Sequence, residues 1–190
     1  MTVRPVLQIG HPTLRERARE ITEAERTSAE VRALVEDLVD TMRANQGAGI
    51  AANQIGVPLR VAVIEVNENA RYPYKPEIPL TVIINPVIEP LDDEMVVINE
   101  GCLSVPLRGD VPRHVNVRVR YLDGDGTPHD EVKRGLTAGT WQHECDHLDG
   151  VLFVDRVEDS RSLSTWDEFD QHHRDTFIAR ITAFVDDVGS

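Results

Sequence analysis

A chain of 190 residues is long enough to bury one substantial core, and its length fits a single domain spanning residues 1–190. Lys and Arg number 20 against 33 Asp and Glu, a formal charge of −13; this disfavours unaided binding to nucleic acid or to an anionic membrane and suits a soluble, self-repelling surface. MTVRPVLQIGHP lacks an apolar signal core, no apolar run approaches the ~20 residues that span a bilayer, and two cysteines, Cys102 and Cys145, are too few for a disulfide scaffold, so a cytoplasmic protein is expected.

In chain order, PTLRERARE predicts a short helix entered through Pro12. A second helix is predicted from Thr27, where Thr27 and Glu30 form a capping-box pair, and Val31, Leu34, Val35, Leu38, Val39 and Met42 recur at helical spacing. That helix should dissolve at Asn45-Gln46-Gly47, ahead of a Gly-rich segment. Strands are predicted at LRVAVIEV (59–66), TVIINPVIEP (81–90), EMVVI (94–98) and VNVRVRYL (115–122), the last with Val115, Val117 and Val119 on one face; the proline-rich YPYKPEIP (72–79) reads as a loop. Because the strands follow one another without intervening helices, the expected class is α+β with antiparallel or mixed sheets. Asp123-Gly124-Asp125-Gly126 lacks the glycine a calcium loop needs at its sixth place and reads as a hairpin turn. Residues 135–148 should be helical, and a last helix is expected at about 164–186, with Trp166, Phe169, Phe177, Ile181 and Phe184 near one side.

The helix at 135–148 carries QHECDHLDG. On a helix His143 and His147 sit about 40° apart, with Glu144 about 60° from His147, a spacing that lets two imidazoles share one ion while the carboxylate reaches water beside it. Cys145 falls about 160° to 200° from both histidines and reads as a small core side chain. A hydrolytic site needs a third ligand. Downstream, Glu168, His172 and His173 offer one of the zinc-protease kind; upstream, Cys102 follows a strand in EGCLS.

Together, GAGIAANQ (47–54), EGCLS (100–104) and QHECDHLDG (142–150) resemble the three signature motifs of peptide deformylase, in that order. The resemblance extends to LQIGHPTLR, the VPR at 111–113 and VLFVDR, and weakens over the final 30 or so residues. It implies an α+β fold with antiparallel sheets around a central clamp helix. It also implies a metal-dependent amidohydrolase that removes the formyl group from the N-formylmethionine of nascent polypeptides, releasing formate. Cys102, His143 and His147 would hold one divalent ion, usually ferrous iron, with nickel, cobalt or zinc able to replace it. Glu144 would move the proton, and the Gln54 amide with the Leu103 N–H would stabilise the developing oxyanion. Glu100 would fix a ligand imidazole, with Arg113 balancing its charge. The peptide would add as a strand along Ala48, Gly49, Gly101 and Leu103, its methionine side chain in an apolar pocket walled in part by Gly139.

Gly47-Ala48-Gly49-Ile50-Ala51-Ala52 also fits the GxGxxA of a dinucleotide turn, but it follows a helix and opens toward a strand, the reverse of what that turn requires. Two departures from the family pattern stand out: Ile50 for the commoner leucine, and Gly139-Thr140-Trp141 where relatives carry larger aliphatics at the first two positions. The acidic C-terminal region carries no basic tail for ribosomal RNA, so transient ribosome proximity, a monomer and no direct nucleic acid or membrane contact are expected. The competing readings are a zincin-like endopeptidase using Glu168 or His172, and a deformylase-like binding protein that has lost catalysis.

Overall fold

The computed structural model describes residues 2–67 and 73–190. Tyr72, the first residue of the expected proline-rich loop, lies outside the described residues. Pro12–Arg15 is a single 3-10 turn, and Glu23–Arg26 (α1) is one turn capped by Thr22 in a capping box with Glu25. Helix α2, Ala29–Ala44, starts one residue later than the sequence suggested. Ser28, not Thr27, is its N-cap, its hydroxyl accepting from Val31 N–H at 3.2 Å, while Thr27 closes α1. Of its apolar stripe, Val31, Leu34, Leu38 and Met42 are buried, whereas Val35 and Val39 only flank the core.

Strands β1 (Gly49–Ala51), β2 (Val61–Val66), β3 (Ile78–Pro90), β6 (Asn116–Leu122) and β7 (Pro128–Arg134) form one antiparallel sheet in the order β1-β2-β3-β6-β7; β4 (Met95–Cys102) and β5 (Val105–His114) form a second. The first sheet turns Ala62, Ile64, Ile83, Val117 and Val119 toward the core. The Asp123–Gly126 run is the β6–β7 hairpin turn, Asp123 accepting from the N–H groups of Asp125 and Thr127 at 2.9 Å each.

Helix α3, Gly135–Leu148, is buried almost all round, the pattern of a central rather than a surface helix. Ala138, Trp141 and Leu148 pack on the five-stranded sheet, and Leu136 packs with Ile98 and the C-terminal aromatics. The expected final helix is two, α4 (Trp166–His172) and α5 (Arg174–Val188), broken at His173. Phe169, Phe177 and Ile181 are buried from both pieces, so the apolar stripe is real although the helix is interrupted. Among the described residues no helix is long and apolar enough to cross a membrane.

Candidate active site

Cys102 ends β4, and His143 and His147 lie one turn apart on α3, which packs beside both sheets. One ligand atom from each falls within 4.8 Å of the others, and no other group of the described residues forms such a cluster. Cys102 Sγ is 3.2 Å from His147 Nε2. Cys145 is buried and outside the cluster, as the helical angles require, and burial pushes its thiol up. Glu168, His172 and His173 are exposed and do not join it; Glu168 pairs instead with His172 at 3.4 Å.

Around the cluster Glu100, Arg113 and Asp146 are tightly paired. Glu100 accepts from both ends of Arg113, at 2.7 and 2.9 Å, and its Oε2 lies 2.9 Å from His143 Nδ1. Burial alone would raise the Glu100 carboxyl, but Arg113 and His143 hold it well below the usual carboxylate range. Arg113 also donates to Asp146 at 2.6 Å, and Asp146 receives two further bonds from Arg156 at 2.6 and 2.5 Å. Burial would lower the His143 imidazole, yet its bonds to Cys102 and Glu100 hold it well above its ordinary value; burial and the neighbouring His143 and Arg113 charges push His147 down.

Gln54 stands on a 3-10 turn, Ala52–Ile55, directly after β1. Its Oε1 accepts from Ala51 N–H at 2.8 Å, which orients Nε2 toward Ser104 Oγ (3.0 Å) and Cys102 Sγ (3.5 Å). The neighbouring Asn53, fully buried, donates to the carbonyl of His147 and ties this turn to the end of α3. Glu144 is buried, its Oε2 has no partner among the described residues, and burial pushes its carboxyl up to about 7. A Cβ at Gly49 would collide with that carboxylate, so only glycine lets β1 approach this closely.

These groups open onto one cleft, lined by Ala48, Gly49, Gln54, Gly101, Cys102, Leu103, Gly139, His143 and Glu144. Every residue expected at the site lines it except His147 and Arg113, which lie behind the surface. Two free sheet edges face it, since β1 ends one sheet and β4 the other among the described residues. Gly139 does not leave the pocket empty: Ile98 Cδ1 lies 2.6 Å from where its Cβ would be. Thr140 turns its hydroxyl to the Leu136 carbonyl (3.1 Å) and receives Lys75 Nζ at 3.0 Å, while burial lowers that ammonium's pKa to about 8. Tyr74, Lys75, Ile98, Arg108, Leu136 and Trp166 also line the cleft and were not anticipated. Local pattern carried no signal for them, because each acts through long-range packing.

Residues 3–162 match the polypeptide deformylase family. Peptide deformylase 2 of Ralstonia nicotianae is 44% identical over 91% of this chain and 99% of its own length, and peptide deformylase 1 of Prochlorococcus marinus is 46% identical over 86% and 85%. Among solved structures, the Met-Ala-Ser-bound class I type b peptide deformylase of Acinetobacter baumannii superposes with a TM-score of 0.79 at 39% identity, covering 82% of this chain and 99% of its own. The Thermotoga maritima peptide deformylase gives 0.73 at 31% identity, covering 84% and 100%. With its Cys-His-His cluster, two buried glutamates and α+β frame, the chain belongs to the polypeptide deformylase family.

Proposed function

We propose that this protein hydrolyses the formyl amide of N-formylmethionyl nascent peptides in the cytoplasm, and that Cys102, His143 and His147 hold the divalent ion. The observation that carries this reading is the convergence of one sulfur and two imidazole nitrogens within 4.8 Å, beside a buried Glu144 whose Oε2 has no partner among the described residues. The donor set suits a borderline-soft divalent ion. Ferrous iron is the reading taken from the family, with nickel, cobalt or zinc as substitutes. Once bound, such an ion supplies Lewis acidity that polarises both water and the formyl oxygen.

The chain's own groups do the rest. Glu144, poised near neutrality by burial, takes the proton of the attacking water and returns it to the departing amine nitrogen. As charge builds on the formyl oxygen, the Gln54 amide and the Leu103 N–H stabilise it, a contribution of about 10²- to 10³-fold per donor. Glu100 accepts from His143 and fixes the tautomer that leaves its other nitrogen for the ion, while Arg113 neutralises the buried carboxylate. The peptide enters between the free edges of β1 and β4, where Ala48, Gly49, Gly101 and Leu103 offer main-chain groups and Ile98, Leu136 and Gly139 wall the methionine pocket. The Acinetobacter relative has Met-Ala-Ser bound, which supports a short methionyl peptide as the kind of molecule the cleft takes. The length of 190 residues supports one domain, and the formal charge of −13 supports a self-repelling monomer that does not grip nucleic acid.

The test is formate release from formyl-Met-Ala-Ser by protein loaded anaerobically with iron, nickel or cobalt, with Cys102→Ser and Glu168→Gln in parallel. Turnover by the parent, and loss of bound metal and activity in Cys102→Ser alone, is expected. Retention of both in Cys102→Ser overturns the ligand assignment, and no turnover with any ion overturns the activity.

A further inference from the structure

Trp166 reaches the cleft from beyond residue 162, where the family match ends. A short antiparallel bridge delivers it: Arg108 N–H donates to the Ser164 carbonyl at 2.8 Å, and Ser164 N–H to the Arg108 carbonyl at 3.0 Å. Thr165 then caps α4, its hydroxyl accepting from Glu168 N–H at 3.3 Å, which aims the first helical side chain back across β4. The Arg108 guanidinium lies 4.3 Å from the indole centroid and equally 4.3 Å from that of Phe169. Arg108 is itself held by Asn99 Oδ1 (2.9 Å) and the Asn99 carbonyl (2.8 Å), so the ring rests on a rigid support. Its edge lies directly over Gly101, where a Cβ would meet Cζ2 at 2.5 Å and Cη2 at 2.9 Å.

That position has a stereochemical consequence for a peptide on the free edge of β4. Residues directly opposite each other in an antiparallel pair point their side chains to the same face. With the formyl oxygen at the Leu103 N–H, counting outward sets the formylated residue against Cys102 and the next residue against Gly101. The face on which a Gly101 side chain would stand is the one Trp166 covers. Arg108 Nη1 stands beside the ring, 3.0 Å from the same Cβ position, but Arg108 is only 2% exposed and Lys75 is engaged with Thr140, so the exposed surface on that face is chiefly indole.

We propose that Trp166 is a specificity-determining residue that selects for a large apolar or aromatic side chain immediately after formylmethionine. This rests on the deformylase reading and on the peptide path along β4. Burial of an aromatic side chain against the indole should favour such peptides by about tenfold over acidic ones.

The experiment measures kcat and KM of the metal-loaded full chain for formyl-Met-Phe-Ser, formyl-Met-Ala-Ser and formyl-Met-Asp-Ser, in the parent, Trp166→Phe and Trp166→Ala. The expected result is a kcat/KM ratio of Phe over Asp peptide that falls about tenfold in Trp166→Ala, through KM, and largely persists in Trp166→Phe. Equal losses for all three peptides mean that the ring only props Arg108 and Gly101, and overturn the proposal. A parent that shows no preference among the peptides overturns it as well. Should Trp166→Ala not fold, Trp166→Leu, which keeps apolar bulk without a ring, is read by the same ratio. No formate from any peptide in the parent overturns the deformylase reading, and the role of Trp166 with it.

Discussion

Replacing Arg113 with methionine removes a cation that reaches both Glu100 and Asp146. Arg113 is 2% exposed and makes three hydrogen bonds of 2.6 to 2.9 Å to those carboxylates. Methionine fills similar space, so the loss is electrostatic rather than a cavity. Asp146 keeps two bonds from Arg156, so the uncompensated charge is concentrated on Glu100, which is left with His143. Removing one member of a buried pair costs about 3–5 kcal/mol. For a chain of this size, each kcal/mol lowers Tm by about 2–4 °C, giving an expected fall of about 6–20 °C. The assay is thermal unfolding at saturating metal, for Arg113→Met, Glu100→Gln and the double variant. Because glutamine removes the orphaned charge, the double variant should be more stable than Arg113→Met alone, with a coupling of about 0.5–3 kcal/mol. A fall of less than about 2 °C, or a double variant that is the least stable of the three, would refute the view that Arg113 neutralises Glu100.

Glu144→Gln should bind metal as the parent does, since Glu144 is not in the ligand cluster, while kcat falls about 10²- to 10⁴-fold; metal stoichiometry beside formate release checks it, and a loss under tenfold removes Glu144 from proton transfer. The Glu25 carboxyl is held at about 2, first by its bond to Arg19 and then by Thr22. Its folded value lies below its unfolded value of 4.5. The stabilisation is therefore present above that pH and is lost as pH falls toward 2. Urea midpoints from pH 6 to 2 should fall less steeply for Glu25→Gln than for the parent; parallel curves would contradict the assignment.

The clamp helix was legible because its boundaries, angles and burial follow from fourteen consecutive residues, and the three motifs named the cluster that long-range folding then assembled. What escaped reading did so for physical reasons. β1 is three residues long, β7 is a charged strand whose burial alternates between half-buried and exposed, and β5 carries Pro106, Pro112, Arg108 and Arg113, a composition that imitates a loop. Arg108 and Arg113 are buried only because Asn99, Glu100 and Asp146 arrive from other segments to satisfy them. The capping residue of α2 was misread by one position because Thr27 and Ser28 are equally good caps, and the preceding turn claimed the first. His173 broke the last helix without glycine or proline to announce it.

The cleft glycines are best understood as moulds. Gly101 takes the imprint of Trp166 and Gly139 that of Ile98, so each glycine and its occupant form one coupled locus. A methyl group at either could be accommodated by trimming the partner, and descendants of this chain are free to trade bulk across those pairs, remodelling the pocket while conserving its volume. Gly49 has no such freedom. Its imprint is the carboxylate of Glu144, the proposed proton carrier, so a trimmed Trp166 or Ile98 should rescue alanine at position 101 or 139, whereas no change of partner rescues alanine at position 49 without loss of activity.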